Sequence, residues 1–179
     1  MSEAEPPSKT PKSPEKTKKS LTPEADEAFS GRMVDRIHVI FTRVYYEDTD
    51  ALGLVYYANY LKFMERGRTD MLRLMGIGRH DPEAAEGEGL FVVRRCTIDY
   101  LAPAKLDDVL EIRTSVTGIG AASLELAQAV CRDGKTLVTG QIKVACIGTN
   151  GRPQKLSPKI RQKLQHLLIQ IQPKADVNA

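Results

Sequence analysis

One long amphipathic segment, residues 58–75, limits the folds open to this chain more than any other feature. Its apolar face is built from residues spaced three or four apart: Tyr60, Met64, Gly67, Met71 and Met75. That spacing predicts one α-helix of about 27 Å, long enough to lie across a whole sheet. Gly76 is placed for a C-terminal cap. Gly67 is unfavourable inside a helix, so we expect it to allow close approach of the helix to the sheet.

Alternating apolar residues predict five strands, one before the long helix and four after it. The first strand covers about 37–45, and the later ones cover 90–101, 109–117, 123–132 and 135–148. The four later strands are expected to form an antiparallel meander, in which Leu90, Val92, Cys96, Ile98 and Tyr100 share one face. One helix with such a sheet is an α+β arrangement.

A second helix is predicted after the last strand. Ser157 is suited to be its N-cap and Pro158 its first helical residue, and Pro173 is expected to end it.

The two ends of the chain differ from its middle. Residues 1–31 are rich in proline and charged residues and poor in large apolar ones, so they are predicted to be a disordered tail. Residues 32–172 are predicted to form one domain, followed by a short tail over residues 173–179. Because one helix cannot cover both faces of five long strands, a homo-oligomer is expected.

Charge and hydropathy exclude several classes of partner. The net charge is only +3, so a nucleic-acid partner is not expected. No apolar run reaches the roughly 18 residues of a transmembrane helix. The N-terminal residues have no apolar signal segment, so a cytoplasmic protein is expected.

Cysteines and histidines suggest neither disulfides nor a metal site. Cys96, Cys131 and Cys146 lie in strand-like runs without a CxxC pair, so buried, reduced thiols are expected. The histidines are not spaced like metal ligands, and no metal is expected.

Two carboxylates, Asp48 and Asp50, lie just before the predicted start of the long helix. A helix N-terminus presents free N–H donors and the positive end of the helix dipole. Asp50 is therefore either a reactive carboxylate or a charge that simply stabilises the helix. Asp48 is expected to point elsewhere and to make structural hydrogen bonds. Glu65, in the helix, is expected to be buried or ion-paired.

The stretch from Asp48 to Tyr60 has the form D-x-D-x-x-G-x-V-Y-x-x-x-Y. It resembles the hotdog-fold acyl-CoA thioesterases, in particular the 4-hydroxybenzoyl-CoA thioesterase family with its tol-pal-associated branch. Tyr100-Leu101-Ala102-Pro103-Ala104 and Gly151-Arg152-Pro153 also resemble that family, and the likeness covers about residues 34–156. The resemblance implies a hotdog fold, in which a five-stranded antiparallel sheet wraps around one long central helix, here with a C-terminal helix added.

The same resemblance implies hydrolysis of an acyl-CoA thioester. Asp50 would be the catalytic nucleophile or general base, and the backbone N–H of Tyr57 would be the oxyanion donor. Gly53, Val55 and Tyr56 would contact the substrate. No cofactor is implied, because CoA is part of the substrate. The homo-oligomer expected from the uncovered sheet face is a homotetramer, a dimer of dimers.

Two alternatives stay open. A hotdog hydratase or dehydratase would need an acid paired with a histidine, and His38 or His80 would have to fold toward Asp50. A noncatalytic acyl-CoA-binding or envelope-associated module would not need Asp50. A few cations could bind the CoA phosphates, but a solvated strand edge is the favoured explanation for each, and none is predicted as a site residue. These cations are Arg94, Arg95, Lys135, Lys143 and Arg152.

Overall fold

A computed structural model describes residues 31–77 and 89–169, which form one antiparallel sheet and two α-helices. The strands are β1 (Arg32–Val34), β2 (Ile37–Arg43), β3 (Leu90–Tyr100), β4 (Val109–Ile119), β5 (Ser123–Arg132) and β6 (Lys135–Ile147). The helices are α1 (Asn59–Leu74) and α2 (Pro158–Gln165), and a 3₁₀ turn covers Tyr46–Asp48. Apart from Gly31, the predicted tails lie outside the described residues, so the domain boundaries stay predictions.

The described sheet has six strands, not the five predicted, in the order β1-β2-β4-β5-β6-β3. The additional strand is β1, which forms a hairpin with β2 and pairs Met33 with His38. Asp35 in the turn adopts a φ of 49°, a conformation that Asp tolerates better than most residues. Three residues are too few to show an alternating pattern, which is why the sequence did not reveal this strand.

The predicted four-strand meander is wrong for β3. Of the four strands that follow the long helix, only β4, β5 and β6 are consecutive neighbours, whereas β3 pairs with β6 and β4 pairs with β2. The connection from β3 to β4 is not a tight hairpin. It crosses toward the segment before α1, where the Val55 N–H donates to the Ala104 carbonyl at 2.9 Å. This crossing places the end of β3 beside the D-x-D stretch.

A bulge also changes which residues of β3 share a face. The register with β6 shifts between Val93 and Arg95, so the side-chain alternation reverses there. Phe91 and Ile98 therefore both pack against the core. The prediction that Leu90 and Val92 share a face with Ile98 is wrong for this reason.

Helix α1 lies where the apolar stripe predicted it, within a residue or two. Its C-terminus is a Schellman motif, in which the Gly76 N–H donates to the Arg73 carbonyl and the Ile77 N–H to the Leu72 carbonyl, both at 2.8 Å. Gly76 has a φ of 59°, as a capping glycine requires. The predicted cap is confirmed.

The buried face of α1 packs on β2, β4 and β5. Its fully buried side chains include Phe63, Met64 and Met71. A Cβ atom at Gly67 would lie 3.0 Å from Ile112 Cγ2, which confirms that the glycine allows a close helix-to-sheet approach.

Helix α2 begins as predicted and ends earlier. The Ser157 hydroxyl oxygen accepts from the Ile160 N–H at 3.3 Å, and Pro158 is the first helical residue. The helix stops at Gln165 because the next residues join the sheet: the Ile169 N–H donates to the Val116 carbonyl at 2.9 Å.

The cysteine prediction is correct for two residues of three. Cys131 and Cys146 are buried, but Cys96 is exposed. Cys96 lies on β3, an edge strand that is not among those on which α1 makes its main contacts. No helix in residues 31–77 or 89–169 is long and apolar enough to cross a bilayer.

Candidate active site

Asp50 lies in a tight loop that an antiparallel bridge between Thr49 and Val55 closes. Inside the loop, the Asp50 N–H donates to the Leu54 carbonyl at 2.8 Å and the Gly53 N–H to the Asp50 carbonyl at 3.0 Å. Gly53 has a φ of 72°, and a Cβ atom added to it would meet no atom within 4 Å. The loop therefore needs glycine for its backbone conformation, not for space.

The Asp50 carboxylate is held by one oxygen only. Its Oδ1 accepts from the N–H groups of Leu52 at 2.8 Å and Leu54 at 3.3 Å. Its Oδ2 has no hydrogen-bond partner among the described residues, and the residue is exposed. One oxygen thus orients the group, and the other is available to a water molecule or a substrate.

Asp48 is buried and makes the structural contacts predicted for it. Its Oδ2 accepts from the Tyr45 N–H at 3.0 Å. Its carbonyl oxygen accepts from the Tyr56 N–H and from Asn59 Nδ2, each at 2.9 Å. These bonds tie the Asp50 loop to the first turn of α1.

Tyr57 lies two residues before the first helical residue, Asn59. Neither its N–H nor that of Ala58 has an acceptor among the described residues. Its carbonyl accepts the Tyr100 hydroxyl at 3.1 Å. The segment leading into α1 therefore presents unused N–H donors, the feature that makes helix N-termini suitable for developing negative charge.

A surface cavity of about 450 Å³ brings these groups together. Its walls are Asp50, Leu54, Val55, Tyr56, Tyr57, Tyr60, Tyr100, Leu101, Ala102 and Pro103. The Tyr100 ring meets Tyr57 edge-on at 6.3 Å and Tyr60 at 5.9 Å between ring centroids. Burial raises the pKa of Tyr60 and of Tyr100, so both phenols stay protonated at neutral pH.

The structure places four of the five predicted site residues on this cavity: Asp50, Val55, Tyr56 and Tyr57. Gly53 is not on the wall, although it shapes the loop that carries Asp50. The predicted site lacked the wall formed by Tyr100 and residues 101–103. The sequence indicated these residues only through the resemblance of Tyr100–Ala104 to the thioesterases. That resemblance does not show that they lie next to Asp50 in the fold.

Other charged candidates lie away from the cavity. Glu65 is exposed, and its Oε1 accepts from the Thr69 hydroxyl at 2.6 Å, so the expected burial or ion pairing is wrong. Lys143 pairs with Glu125 at 2.7 Å on the surface. No lysine or arginine is among the described residues that line the cavity.

An acid–histidine pair does exist, but outside the cavity. His38 Nε2 lies 2.9 Å from Asp70 Oδ2, which also accepts from the Gly31 N–H at 2.7 Å. His38 is fully buried, and this burial lowers the pKa of its imidazole. A substrate therefore has no access to it. His80 lies outside the described residues, which contain no cluster of three potential metal ligands.

A sheet wrapped around one long helix, with a carboxylate and unused N–H donors at the start of that helix, is the architecture of a hotdog thioesterase. The sequence profile of the Thioesterase superfamily matches residues 52–139. Together with the relatives below, this shows that the chain belongs to the thioesterase superfamily.

Two of the similar curated proteins come from bacteria. The chain is 42% identical over 123 residues to the acyl-CoA thioester hydrolase YbgC of Escherichia coli O6:H1, a match that spans 68% of this chain and 87% of that protein. It is 37% identical over 136 residues to the acyl-CoA thioesterase YbgC of Haemophilus influenzae, spanning 75% of this chain and 99% of that one.

Solved structures of thioesterases are also similar to this chain. A probable thioesterase from Bartonella henselae superposes with a TM-score of 0.62 at 34% identity, over 68% of this chain and 99% of that one. A Thermus thermophilus thioesterase, solved with coenzyme A and zinc, superposes with a TM-score of 0.61 at 29% identity, over 74% and 93% of the two chains.

Proposed function

We propose that this protein hydrolyses acyl-CoA thioesters to a free acid and CoA. The observation that carries the proposal is one cavity lined by both Asp50, with an unpartnered Oδ2, and Tyr57, with an unpartnered N–H, among the residues that the structure describes. The relatives from Escherichia coli and Haemophilus influenzae, named as acyl-CoA thioesterases, support the substrate class.

In the proposed reaction, the thioester oxygen lies against the Tyr57 N–H. Negative charge grows on that oxygen as the carbonyl carbon is attacked, and a preorganised donor stabilises it. In the general-base route, Asp50 Oδ2 takes a proton from water while the water oxygen attacks the carbonyl carbon. The carbon–sulfur bond then breaks, its electron pair stays on sulfur, and the CoA thiolate takes up the proton.

Asp50 Oδ2 is also available for a second route, in which the carboxylate attacks the carbonyl carbon, the carbon–sulfur bond breaks and the CoA thiolate leaves. Water then hydrolyses the resulting mixed anhydride, which releases the acid and restores the carboxylate. Isotope labelling can identify the nucleophilic route. With enzyme in excess and ¹⁸O-water as solvent, label in the Asp50 peptide shows that an anhydride formed and that water attacked its Asp50 carbonyl. Label confined to the product acid is the result of the general-base route, and it also arises when water attacks the acyl carbon of the anhydride.

The wall residues fit the acyl end of the substrate. Val55 is almost fully buried and offers an apolar floor, and Tyr56 stands beside Tyr57 with ring centroids 4.6 Å apart. We assign both to acyl-group contact. Gly53 contributes by holding the Asp50 loop in its positive-φ turn.

The test is release of free thiol from a panel of acyl-CoA esters. Asp50→Asn keeps an oxygen that can accept from Leu52 and Leu54 and removes the second carboxylate oxygen. It therefore separates chemistry from loop geometry. A general base typically contributes about 10²–10⁴-fold, so kcat should fall by that much. The control, Asp133→Asn, changes an exposed turn carboxylate and should keep the wild-type rate.

The outcomes discriminate the alternatives. Asp50→Asn at the wild-type rate refutes the assigned chemistry. Tight acyl-CoA binding without thiol release from any ester indicates a noncatalytic binding module. Hydration of an enoyl-CoA, or dehydration of a 3-hydroxyacyl-CoA, indicates the hydratase or dehydratase alternative, against which the burial of His38 already weighs.

We also propose that β3 joins two copies of the chain into a dimer, as a first step to the expected tetramer. β3 is an eleven-residue edge strand, and it exposes Leu90, Val92, Val93 and Tyr100. A long apolar edge presents unpaired backbone groups that another strand can satisfy. Because Tyr100 ends β3 and lines the cavity, such a dimer lies next to the site.

Sedimentation measures this assembly. Val93 is 52% exposed, and Val93→Lys should shift the protein toward monomer, since lysine blocks edge pairing. The control Val34→Lys changes an exposed residue at the opposite edge of the sheet. A wild-type monomer at all concentrations, or equal effects of the two variants, contradicts the β3 interface.

A further inference from the structure

We propose that Tyr100 is a positioning residue whose hydroxyl fixes the backbone that presents the oxyanion donor. This inference rests on the proposed function, in which the Tyr57 N–H is that donor. It is carried by a hydrogen bond that spans 43 residues of sequence, from the Tyr100 hydroxyl to the Tyr57 carbonyl at 3.1 Å.

The first step concerns the peptide that contains the donor. A peptide group is planar and trans, so its C=O and N–H point in opposite directions. The Tyr56 carbonyl accepts from the Asn59 N–H at 2.8 Å. This bond directs the Tyr57 N–H away from the helix backbone and leaves it without an acceptor among the described residues.

The second step concerns the peptide on the other side of Tyr57. In a regular α-helix, the N–H four residues later would bond the Tyr57 carbonyl. Here the Leu61 N–H donates instead to the Ala58 carbonyl at 3.1 Å. Within the described chain, the Tyr100 hydroxyl is therefore the only donor to the Tyr57 carbonyl.

Together the two bonds restrain both rotatable bonds of Tyr57. One is a backbone bond that most sequences would form. The other depends on a single phenol oxygen at the end of β3. Its removal frees the peptide joining Tyr57 to Ala58 and leaves the donor's own peptide, between Tyr56 and Tyr57, held by the Asn59 bond alone. The donor is then less well aligned when the oxyanion forms.

Tyr100 is itself well placed to hold this position. Its ring packs edge-on against Tyr57, at an interplanar angle of 86°, and against Tyr60, at 65°. Burial raises the pKa of its phenol, so the hydroxyl keeps its proton and remains a donor. Phenylalanine would keep the ring contacts and lose only the hydrogen bond.

The experiment compares Tyr100→Phe with wild type on the acyl-CoA ester that wild type hydrolyses fastest. One net hydrogen bond corresponds to about a two- to twelvefold effect, and we expect kcat to fall by about fivefold. KM should stay within about twofold of the wild-type value, because the residues assigned to acyl-group contact are unchanged. The control Tyr46→Phe removes a hydroxyl from a side chain that is 82% exposed and should leave both constants unchanged.

A second readout does not depend on turnover. The Ala58 amide nitrogen shares a peptide with the Tyr57 carbonyl, so its NMR resonance should move in Tyr100→Phe and not in Tyr46→Phe. A purely structural role would instead lower the melting temperature and leave kcat unchanged.

The outcomes distinguish a failure of the role of Tyr100 from a failure of the proposed function. If Asp50→Asn is inactive while Tyr100→Phe keeps the wild-type kcat, or if the Ala58 resonance does not move, the role of Tyr100 is overturned and the proposed function stands. If the wild type releases no thiol from any ester, the proposed function fails and the role of Tyr100 fails with it.

Discussion

Replacing Gly67 with Ala tests how tightly α1 is packed on the sheet that supports the site. The new Cβ would lie 3.0 Å from Ile112 Cγ2, 3.1 Å from Thr114 Oγ1 and 3.4 Å from Gln128 Nε2. Ile112 and Thr114 are fully buried. Gln128 Nε2 already donates to the Met64 carbonyl at 2.9 Å and to Thr114 Oγ1 at 2.8 Å. These neighbours have little room to move aside.

The change in stability of Gly67→Ala is set by a favourable gain in helix propensity and an unfavourable crowding of the core. Alanine is better than glycine in a helix interior by about 1 kcal/mol. Overpacking a filled core costs about 1–3 kcal/mol, and displacing the Thr114–Gln128 hydrogen bond adds about 1 kcal/mol. With about 2 kcal/mol for overpacking, the variant should lose about 2 kcal/mol. For a chain of this size that lowers the melting temperature by about 4–8 °C.

Urea unfolding followed by circular dichroism measures the loss. In Ile112→Leu, the side chain no longer carries the Cγ2 methyl group that the new Cβ at position 67 would crowd. Gly67→Ala should therefore lower the free energy of unfolding by at least about 0.5 kcal/mol less in the Ile112→Leu background than in wild type. Lys62→Ala, at an exposed position of α1, should change stability by less than about 0.5 kcal/mol. A Gly67→Ala protein as stable as wild type would refute the tight approach, because helix propensity would then decide the outcome.

Three further predictions concern pH, the cavity wall and the N-terminal residues. Because burial lowers the pKa of His38, the unfolded chain takes up a proton below about pH 6.5 before the folded one does. The free energy of unfolding should therefore fall as the pH is lowered from about 6.5 to the lower pKa of folded His38. In urea unfolding measured at a series of pH values, His38→Gln should make this fall smaller. An equal pH dependence of the two proteins contradicts the prediction. Tyr60→Phe removes the acceptor of the buried Ala104 N–H, 2.8 Å away, and should lower the free energy of unfolding by about 1–3 kcal/mol; an unchanged urea midpoint contradicts this. Deleting residues 1–30, which keeps Gly31, should leave the melting temperature and kcat near wild type, and a large loss in either contradicts a dispensable tail.

Local features of the sequence were sufficient to predict both helices and five of the six described strands. The spacing of Tyr60, Met64 and Met71 located α1. Apolar residues at a period of 3.6 form a stripe along one face of a helix, and this stripe can be recognised whichever layer buries it. Gly76 and Ser157 marked helix ends correctly, since each cap forms within a few residues of chain. Asp50 and Tyr57 could also be nominated from sequence, but only through the family motif around them.

Features that depend on distant residues could not be read in this way. The bulge between Val93 and Arg95 reverses the faces of β3, and nothing in the alternating pattern marks it. The exposure of Cys96 follows from β3 being an edge strand. The early end of α2 follows from a backbone bond between Ile169 and Val116. Each depends on which partner a backbone group finds across the fold.

The sequence by itself determined the helix that crosses the sheet, the five longer strand segments, and the motif that places a carboxylate before a helix start. Only the tertiary structure decided that β3 pairs with β6, and so that Tyr100 reaches the carbonyl of Tyr57. The physical reason is the range of the interactions involved. Periodicity and capping act over one or two turns of chain, whereas strand pairing and the walls of a cavity are chosen by competition among residues far apart in sequence.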